Sequence, residues 1–391
     1  MTHPRVTGVG LTHFGEHSER TGRDMFAEAG LAALDDSGVD PEDVEALFYG
    51  NFMGELAEHQ GHQAPLMAEA VGLDVPATRF EAACASSGAA VREAVTRLRS
   101  GEADVILVGG SERMTNVGTA GATDALSIAA DDLYEIRAGM TFPAAYALMA
   151  RAYFREYGGT REDLAAIAVK NHDHAMPNEY AQLRKEITVE DALEAPMVAE
   201  PLGLYDACPI TDGASAVVLT SAEYAAEHGL DAPVAITGTG QGGDRMALSD
   251  RHHLARSPAA DKAADEAYED AGVGPADVDV AEVHDCFTIA EVLAIESLGL
   301  YEPGEGISAA REGETHATGE MPVNLSGGLK AKGHPVGATG VAQVVSLTKV
   351  LRGESSWSDD VGDARVGVAH NAGGTVASCT VHVLETMEAG S

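Results

Sequence analysis

Cysteine, lysine and aromatic side chains are all scarce in this chain of 391 residues, and each scarcity excludes something. The four cysteines, Cys84, Cys208, Cys286 and Cys379, show no Cys-x-x-Cys spacing. Free thiols in a reducing compartment are therefore expected, not a disulfide framework. Lysine occurs at only six positions, and 62 acidic against 25 basic residues leave a formal charge of -37. Such a surface repels phosphate backbones and anionic membranes, which excludes nucleic acid as a partner. No apolar run approaches the ~18 residues of a membrane span, and the N-terminus lacks the apolar core of a signal peptide. A cytoplasmic location is expected. The acidic residues are spread through short segments such as DDSGVDPEDVEA and do not form a disordered tail. This predicts a folded protein with an acidic surface, as in the salt-rich cytoplasm of a halophile.

A hydrophobic content of 45% fits a globular chain, and its length favours two domains or one duplicated unit. An internal repeat favours duplication. AALDDSGVDPEDVEALFYG, from residue 32, resembles DEAYEDAGVGPADVDVAEVHD, from residue 265. Gly38, Pro41, Asp43 and Val44 match Gly272, Pro275, Asp277 and Val278, and each copy reads as an amphipathic helix, a Gly-x-x-Pro turn and a strand. A weaker match pairs the segment after Cys84 with GHPVGATGVAQVVSLTKVLRGE, aligning Gly88 with Gly340 and Gly101 with Gly353. Two α/β halves are predicted, residues 1–223 and 232–391, with a helix-rich insert over about 116–205 in the first. Apolar strands such as ADVILVGG, SAVVLTS and RVGVAHNAGG alternate with helices, as in layers around buried sheets. Equivalent helix starts of two such halves meet, which would bring Cys84 near His334.

Four motifs stand out. Cys84 lies in EAACASSGAA, at the start of a helix, where the dipole and unpaired N–H groups favour thiolate and small neighbours admit a substrate. The bland alternative is a small residue where helix meets sheet. His334 lies in NLSGGLKAKGHPVGATG, whose glycines allow close approach to a ligand while Pro335 fixes the turn. In EVHDCFT, His284 and Cys286 are two apart, so on an extended strand they face one side, beside Phe287. In VAHNAGGT, His370 precedes a small-residue turn able to supply backbone donors.

Together, ACASSG, HDCF, GGLKAKGHPVGATG and HNAGG resemble the thiolase superfamily, specifically the archaeal and sterol-carrier-protein-2 type. The resemblance runs over essentially the whole chain. It implies a five-layered α-β-α-β-α core and acyl transfer between coenzyme A thioesters, with no permanently bound cofactor and no metal. By resemblance, Cys84 carries the acyl group, His334 activates it, and His284 helps bind the enolate oxygen. Cys286 takes the α-proton, with His370 as the competing base. The backbone N–H of Cys84 and one from Ala372 or Gly373 form the oxyanion hole. Phe287, Cys208, Phe142 and Met149 line the substrate path. The implied product is acetoacetyl-CoA, feeding isoprenoid lipids; the alternatives are a degradative 3-ketoacyl-CoA thiolase and a noncatalytic scaffold. Implied partners are acyl-CoA, further copies as a homodimer or homotetramer, a zinc-ribbon/OB-fold acyl-CoA-binding protein, and hydroxymethylglutaryl-CoA synthase.

Weaker constellations read as structure. GTGQGG, residues 238–243, matches Gly-x-Gly-x-x-Gly without a clear helix behind it, so no nucleotide site is expected. NHDH, residues 171–174, and the cluster of Asp250, His252 and His253 lack a tidy ligand set and read as a solvated helix face or loop. Lys330 and Lys332 read equally well as phosphate contacts or as solvent-facing side chains.

Overall fold

A computed structural model describes residues 3–387. The first half runs β1 (Arg5–Leu11), α1 (Gly22–Ser37), β2 (Ala46–Gly50), α2 (Gly54–Ala57), α3 (Gln63–Ala70), β3 (Ala77–Phe80), α4 (Ser86–Arg99) and β4 (Val105–Glu112). Between β4 and β7 (Gly213–Thr220) come α5 (Gly118–Ser127), α6 (Phe142–Glu156), α7 (Arg161–Ala175), α8 (Val189–Glu194) and the ribbon of β5 (Met197–Ala199) and β6 (Leu202–Gly203). A short α9 (Ala222–His228) leads to the second half: β8 (Val234–Gly243), α10 (Pro258–Ala271), β9 (Val280–Glu282), α11 (Thr288–Ser297) and α12 (Gly306–Glu312). It closes with α13 (Thr339–Leu351), α14 (Ser358–Val361), β10 (Val366–Gly373) and β11 (Ser378–Thr386).

The strand order β3-β2-β4-β7-β1-β8-β11-β10-β9 shows the duplication. Outward from the centre, β1-β7-β4-β2 and β8-β11-β10-β9 carry the same sequence of antiparallel, antiparallel and parallel pairings. A parallel bridge from Ala281 to Val323 stands where β3 lies in the first half. The halves join where Arg5 of β1 pairs with Ala235 of β8. The repeated turns match as well, since Gly38 (φ 64°) and Gly272 (φ 76°) both end their helices in the left-handed region, where a side chain is strained.

Burial divides the molecule into five layers. One face of the first-half strands (Leu47, Tyr49, Leu107, Val218) packs on α1 and α3. The opposite face (Phe48, Ile106, Val217) meets Ile236, Ala369 and Leu384 of the second half through α4 and α13. The outer face of the second half (Val368, Val381, Val383) packs on α10. Helix α13 lies between the two halves of the sheet, which is why its sequence is apolar nearly all round. This is the layered thiolase fold that the motifs imply.

The glycines of GTGQGG are part of this packing. A Cβ at Gly238 or Gly240 would overlap the carbonyl oxygens of Ala267 or Ala263 on α10, and Gly8 and Gly10 meet Ala33 and Ala29 of α1 in the same way. Helix and strand backbones touch at matching places in both halves. Gly240→Ala should therefore lower the urea midpoint by the equivalent of about 1–3 kcal/mol. Gly243→Ala, whose new Cβ comes no nearer than 3.9 Å to any atom, should leave it unchanged or slightly higher. Equal midpoints for the two variants would contradict this packing.

Candidate active site

All four motifs converge where α4 and α13 begin, the last through Asn371 and Gly374. A Cβ at Gly340 would overlap Gly88 backbone nitrogen and Asn371 Oδ1, and one at Gly88 would overlap Thr380 Oγ1 and Asn371 Oδ1, so glycine at both helix starts permits the close approach of the two halves. Cys84, two residues before α4, and His334, five before α13, are thereby brought together with His284. One potential ligand atom from each lies within 4.8 Å of the other two. The His284 and His334 rings stand edge to face, 4.9 Å apart. His284 and Cys286 do not lie on a strand as expected, because β9 ends at Glu282 and the chain turns before α11. Cys286 faces the Tyr146 hydroxyl and lies close enough to Cys84 and Cys208 to feel both thiols. Phe287 stacks on Tyr146, with ring centroids 4.7 Å apart.

The hydrogen bonds assign the protons. Thr339 Oγ1 donates to Pro335 O (3.0 Å) and so accepts from His334 Nδ1 (2.7 Å). This leaves the Nε2 lone pair of His334 free. Asn371 Nδ2 donates to Cys84 O (3.0 Å) and to His284 Nδ1 (3.2 Å), so the His284 proton sits on Nε2, which has no partner among the described residues. His284 thus offers a donor and His334 an acceptor. Cysteine and two histidines are also a zinc donor set, but the only unshared nitrogen of His284 carries its proton and cannot ligate while it does.

Burial keeps the groups uncharged. Cys84 retains some exposed surface, yet the packing around Sγ pushes its thiol up to about 12, against an opposing hydrogen bond from the Gly374 N–H. Desolvation thus opposes the thiolate that a helix start favours. Desolvation also lowers His334 to about 3 and drives His284 well below its usual range, with His334 and His370 adding to the latter effect. A neutral imidazole with a free lone pair can take a proton from a neutral thiol only as the thiol reacts.

Other expectations shift by a residue or a face. His370 lies on β10 among Val368 and Ala372, whose side chains join the outer cluster, and its Nδ1 accepts from the His284 N–H at 3.4 Å. Its neighbour Asn371 faces Cys84 instead. Ala372 and Gly373 are paired in the β10–β11 ladder, and the N–H that meets Cys84 Sγ belongs to Gly374, one residue on. Cys208 is half-buried and its N–H donates to Cys286 O at 3.0 Å. Phe142 packs between the cluster holding Phe287 and the one holding Cys84, while Met149 is fully buried in the former. Asn171, His172 and His174 are buried, so they form no solvated face. Lys330 and Lys332 are likewise 2% and 1% exposed, and neither is solvent-facing. Lys332 lies 3.8 Å from Glu282, and the Lys330 ammonium sits 5.7 Å from the Tyr205 ring.

The motifs gave no sign of Glu112. Its buried carboxylate accepts from the N–H groups of Phe52 (2.9 Å), Met53 (2.9 Å) and Gly337 (3.0 Å), tying the His334 loop to the first half. Desolvation raises it to about 7 despite these bonds.

Residues 5–223 match the family described as thiolase, N-terminal domain, and residues 240–386 match thiolase C-terminal domain-like. The chain belongs to the thiolase family. Acetyl-CoA acetyltransferase of Methanothermobacter thermautotrophicus is 44% identical over 97% of this chain and 98% of its own. Sterol carrier protein 2 of Rattus norvegicus is 32% identical over 99% of this chain and 73% of its own. Among solved structures, the Ltp2-ChsH2(DUF35) aldolase superimposes with a TM-score of 0.83 at 26% identity, covering 98% of each chain. This thiolase is an acyltransferase, and the neutral state of its cysteine is open to measurement. The ultraviolet thiolate absorbance of the wild type at pH 7 should equal that of Cys84→Ala, with a difference emerging only at strongly alkaline pH. A wild-type excess at pH 7 would contradict it.

Proposed function

We propose that this thiolase is an acetyl-CoA C-acetyltransferase that condenses two acetyl-CoA molecules into acetoacetyl-CoA. The observation that carries the proposal is the convergence of Cys84, His284 and His334 at two apposed helix starts, with opposite proton roles on the two imidazoles. Cys84 passes its proton to His334 Nε2 as its sulfur attacks the thioester carbonyl. The N–H of Gly374 and that of Cys84 receive the oxyanion. Collapse expels coenzyme A thiolate, which takes the Cys286 proton and leaves an acetyl group on Cys84.

The second half-reaction uses what the first leaves behind. Cys286, now a thiolate, removes a methyl proton from the second acetyl-CoA. His334, now protonated on Nε2, and His284 Nε2–H both donate to the enolate oxygen. The carbanion attacks the acetyl-cysteine, the C–S bond breaks, and the Cys84 thiolate recovers its proton from His334. Cys286 keeps the α-proton, so both thiols end as they began. Residue Cys286 is favoured over His370 as the base because His370 lies with the outer cluster of β10.

Acetyl-CoA acetyltransferase is the name of the 44% identical relative, which supports the acetyl group as cargo and a coenzyme A thioester as its donor. Among the described residues β3 pairs only with β2 and leaves a sheet edge open, which supports assembly with a second copy. The Ltp2-ChsH2(DUF35) aldolase, an assembly of two components, supports the expectation of a partner protein. A role in isoprenoid synthesis, alongside hydroxymethylglutaryl-CoA synthase, follows from the product.

Intact mass spectrometry after incubation with acetyl-CoA should show one acetyl group on the wild type and none on Cys84→Ala. His284→Ala should lower kcat by about 100- to 1000-fold, the usual cost of one oxyanion donor. An adduct that survives in Cys84→Ala would contradict the proposal.

A further inference from the structure

Beneath the loop that carries His284 and Cys286 lies a buried polar network that takes no direct part in the steps above. Asp285, wholly buried between those two residues, points away from solvent into the loop at 328–330. Its Oδ1 accepts from the Leu329 N–H at 2.6 Å, and its Oδ2 accepts from the Lys330 N–H at 3.2 Å and from Asn171 Nδ2 at 2.8 Å. Gly328 has φ of 57°, and a Cβ there would overlap Asp285 Oδ2, so glycine is what admits the carboxylate. Asn171 Nδ2 also donates to Glu291 Oε2 at 2.9 Å, where Asn324 Nδ2 converges at 2.8 Å. Asn324 Oδ1 accepts the Val283 N–H at 2.8 Å, and Glu291 Oε1 is paired with the buried ammonium of Lys170. The backbone is clamped on both sides of His284, at Val283 and at Asp285.

The two catalytic side chains of this loop are held by different partners. Asn371, on β10, orients His284 and touches the Cys84 carbonyl; it belongs to the helix-start cluster. Asn371 does not reach Cys286, whose thiol meets the Tyr146 hydroxyl instead. The Cys286 backbone is fixed by Asp285 next to it and by the Cys208 N–H on its carbonyl. We infer that Asp285 is a positioning residue for the second half-reaction: it aims the Cys286 thiol through the 328–330 backbone and Asn171, leaving acylation of Cys84 untouched. This rests on the acetyl-transfer reading above. It also gives a purpose to burying several charges in one place, an arrangement that well-packed apolar residues of similar size match or exceed in stability.

The test separates the half-reactions in the full chain. Asp285→Asn and, as a milder change, Asn171→Ala are compared with wild type, with Cys286→Ser setting the floor. Acetylation of Cys84 is followed by intact mass, and exchange of acetyl-CoA methyl protons with deuterated water by NMR. Both variants should acetylate within about threefold of wild type, while exchange falls by about 100-fold in Asp285→Asn, the scale expected when a reacting group is misplaced by about an ångström. If Asp285→Asn does not fold, Asn171→Ala carries the same split, with exchange lowered several-fold more than acetylation. Parallel loss of both activities in the folded variant would make the network merely structural and overturn the inference, as would unchanged exchange. A wild type that never acetylates would overturn the acetyl-transfer reading itself.

Discussion

The contact between Gly88 and Gly340 is the constraint on which the rest of the site depends. The two helix starts lie against each other because Gly340 has no side chain to strike the Gly88 backbone, and Gly88 has none to strike Thr380 and Asn371. That contact brings residues 250 positions apart in sequence to one point, with Cys84 from one half and His334 from the other. Asn371 then links Cys84 to His284, its amide nitrogen reaching the Cys84 carbonyl and His284 Nδ1 while its oxygen rests in the glycine groove. Duplication is therefore the means by which the site is assembled. Neither half holds a complete set of groups.

A second constraint is electrostatic. The surface carries a large negative charge, while the cluster of Cys84, His284 and His334 is kept uncharged by burial. A neutral thiol beside a neutral imidazole holds no standing ion pair, so charge develops only as the reaction proceeds. Fixed N–H groups at Gly374 and His284 are already in place for it, which is where preorganised donors contribute most. Around this neutral centre, two buried lysines lie beside carboxylates, Lys170 with Glu291 and Lys332 with Glu282.

Much of this was legible in the chain. The Gly-x-x-Pro repeat revealed the duplication, and the small-residue settings of Cys84 and His334 marked both helix starts. The match of TGVG, residues 7–10, to TGTG, residues 237–240, was equally open to reading but was obscured by its likeness to a nucleotide fingerprint. What failed was local geometry. On a strand, one residue decides the face, and so His370 was singled out where Asn371 does the touching. Likewise the turn after β10 presents Gly374 and not Ala372 or Gly373, because the ladder continues that far. The burial of Lys330, Lys332 and the Asn171 segment depends on loops from both halves closing over them. Glu112 binds three backbone N–H groups and the Asn51 amide, and no spacing pattern records that.

The most direct test of the account is a crystal structure of the enzyme trapped with acetyl-CoA. The account predicts an acetyl thioester on Cys84 Sγ, with its carbonyl oxygen within about 3 Å of the Gly374 N–H. Acetyl on Cys286 or Cys208, or an oxygen turned away from Gly374, would contradict it.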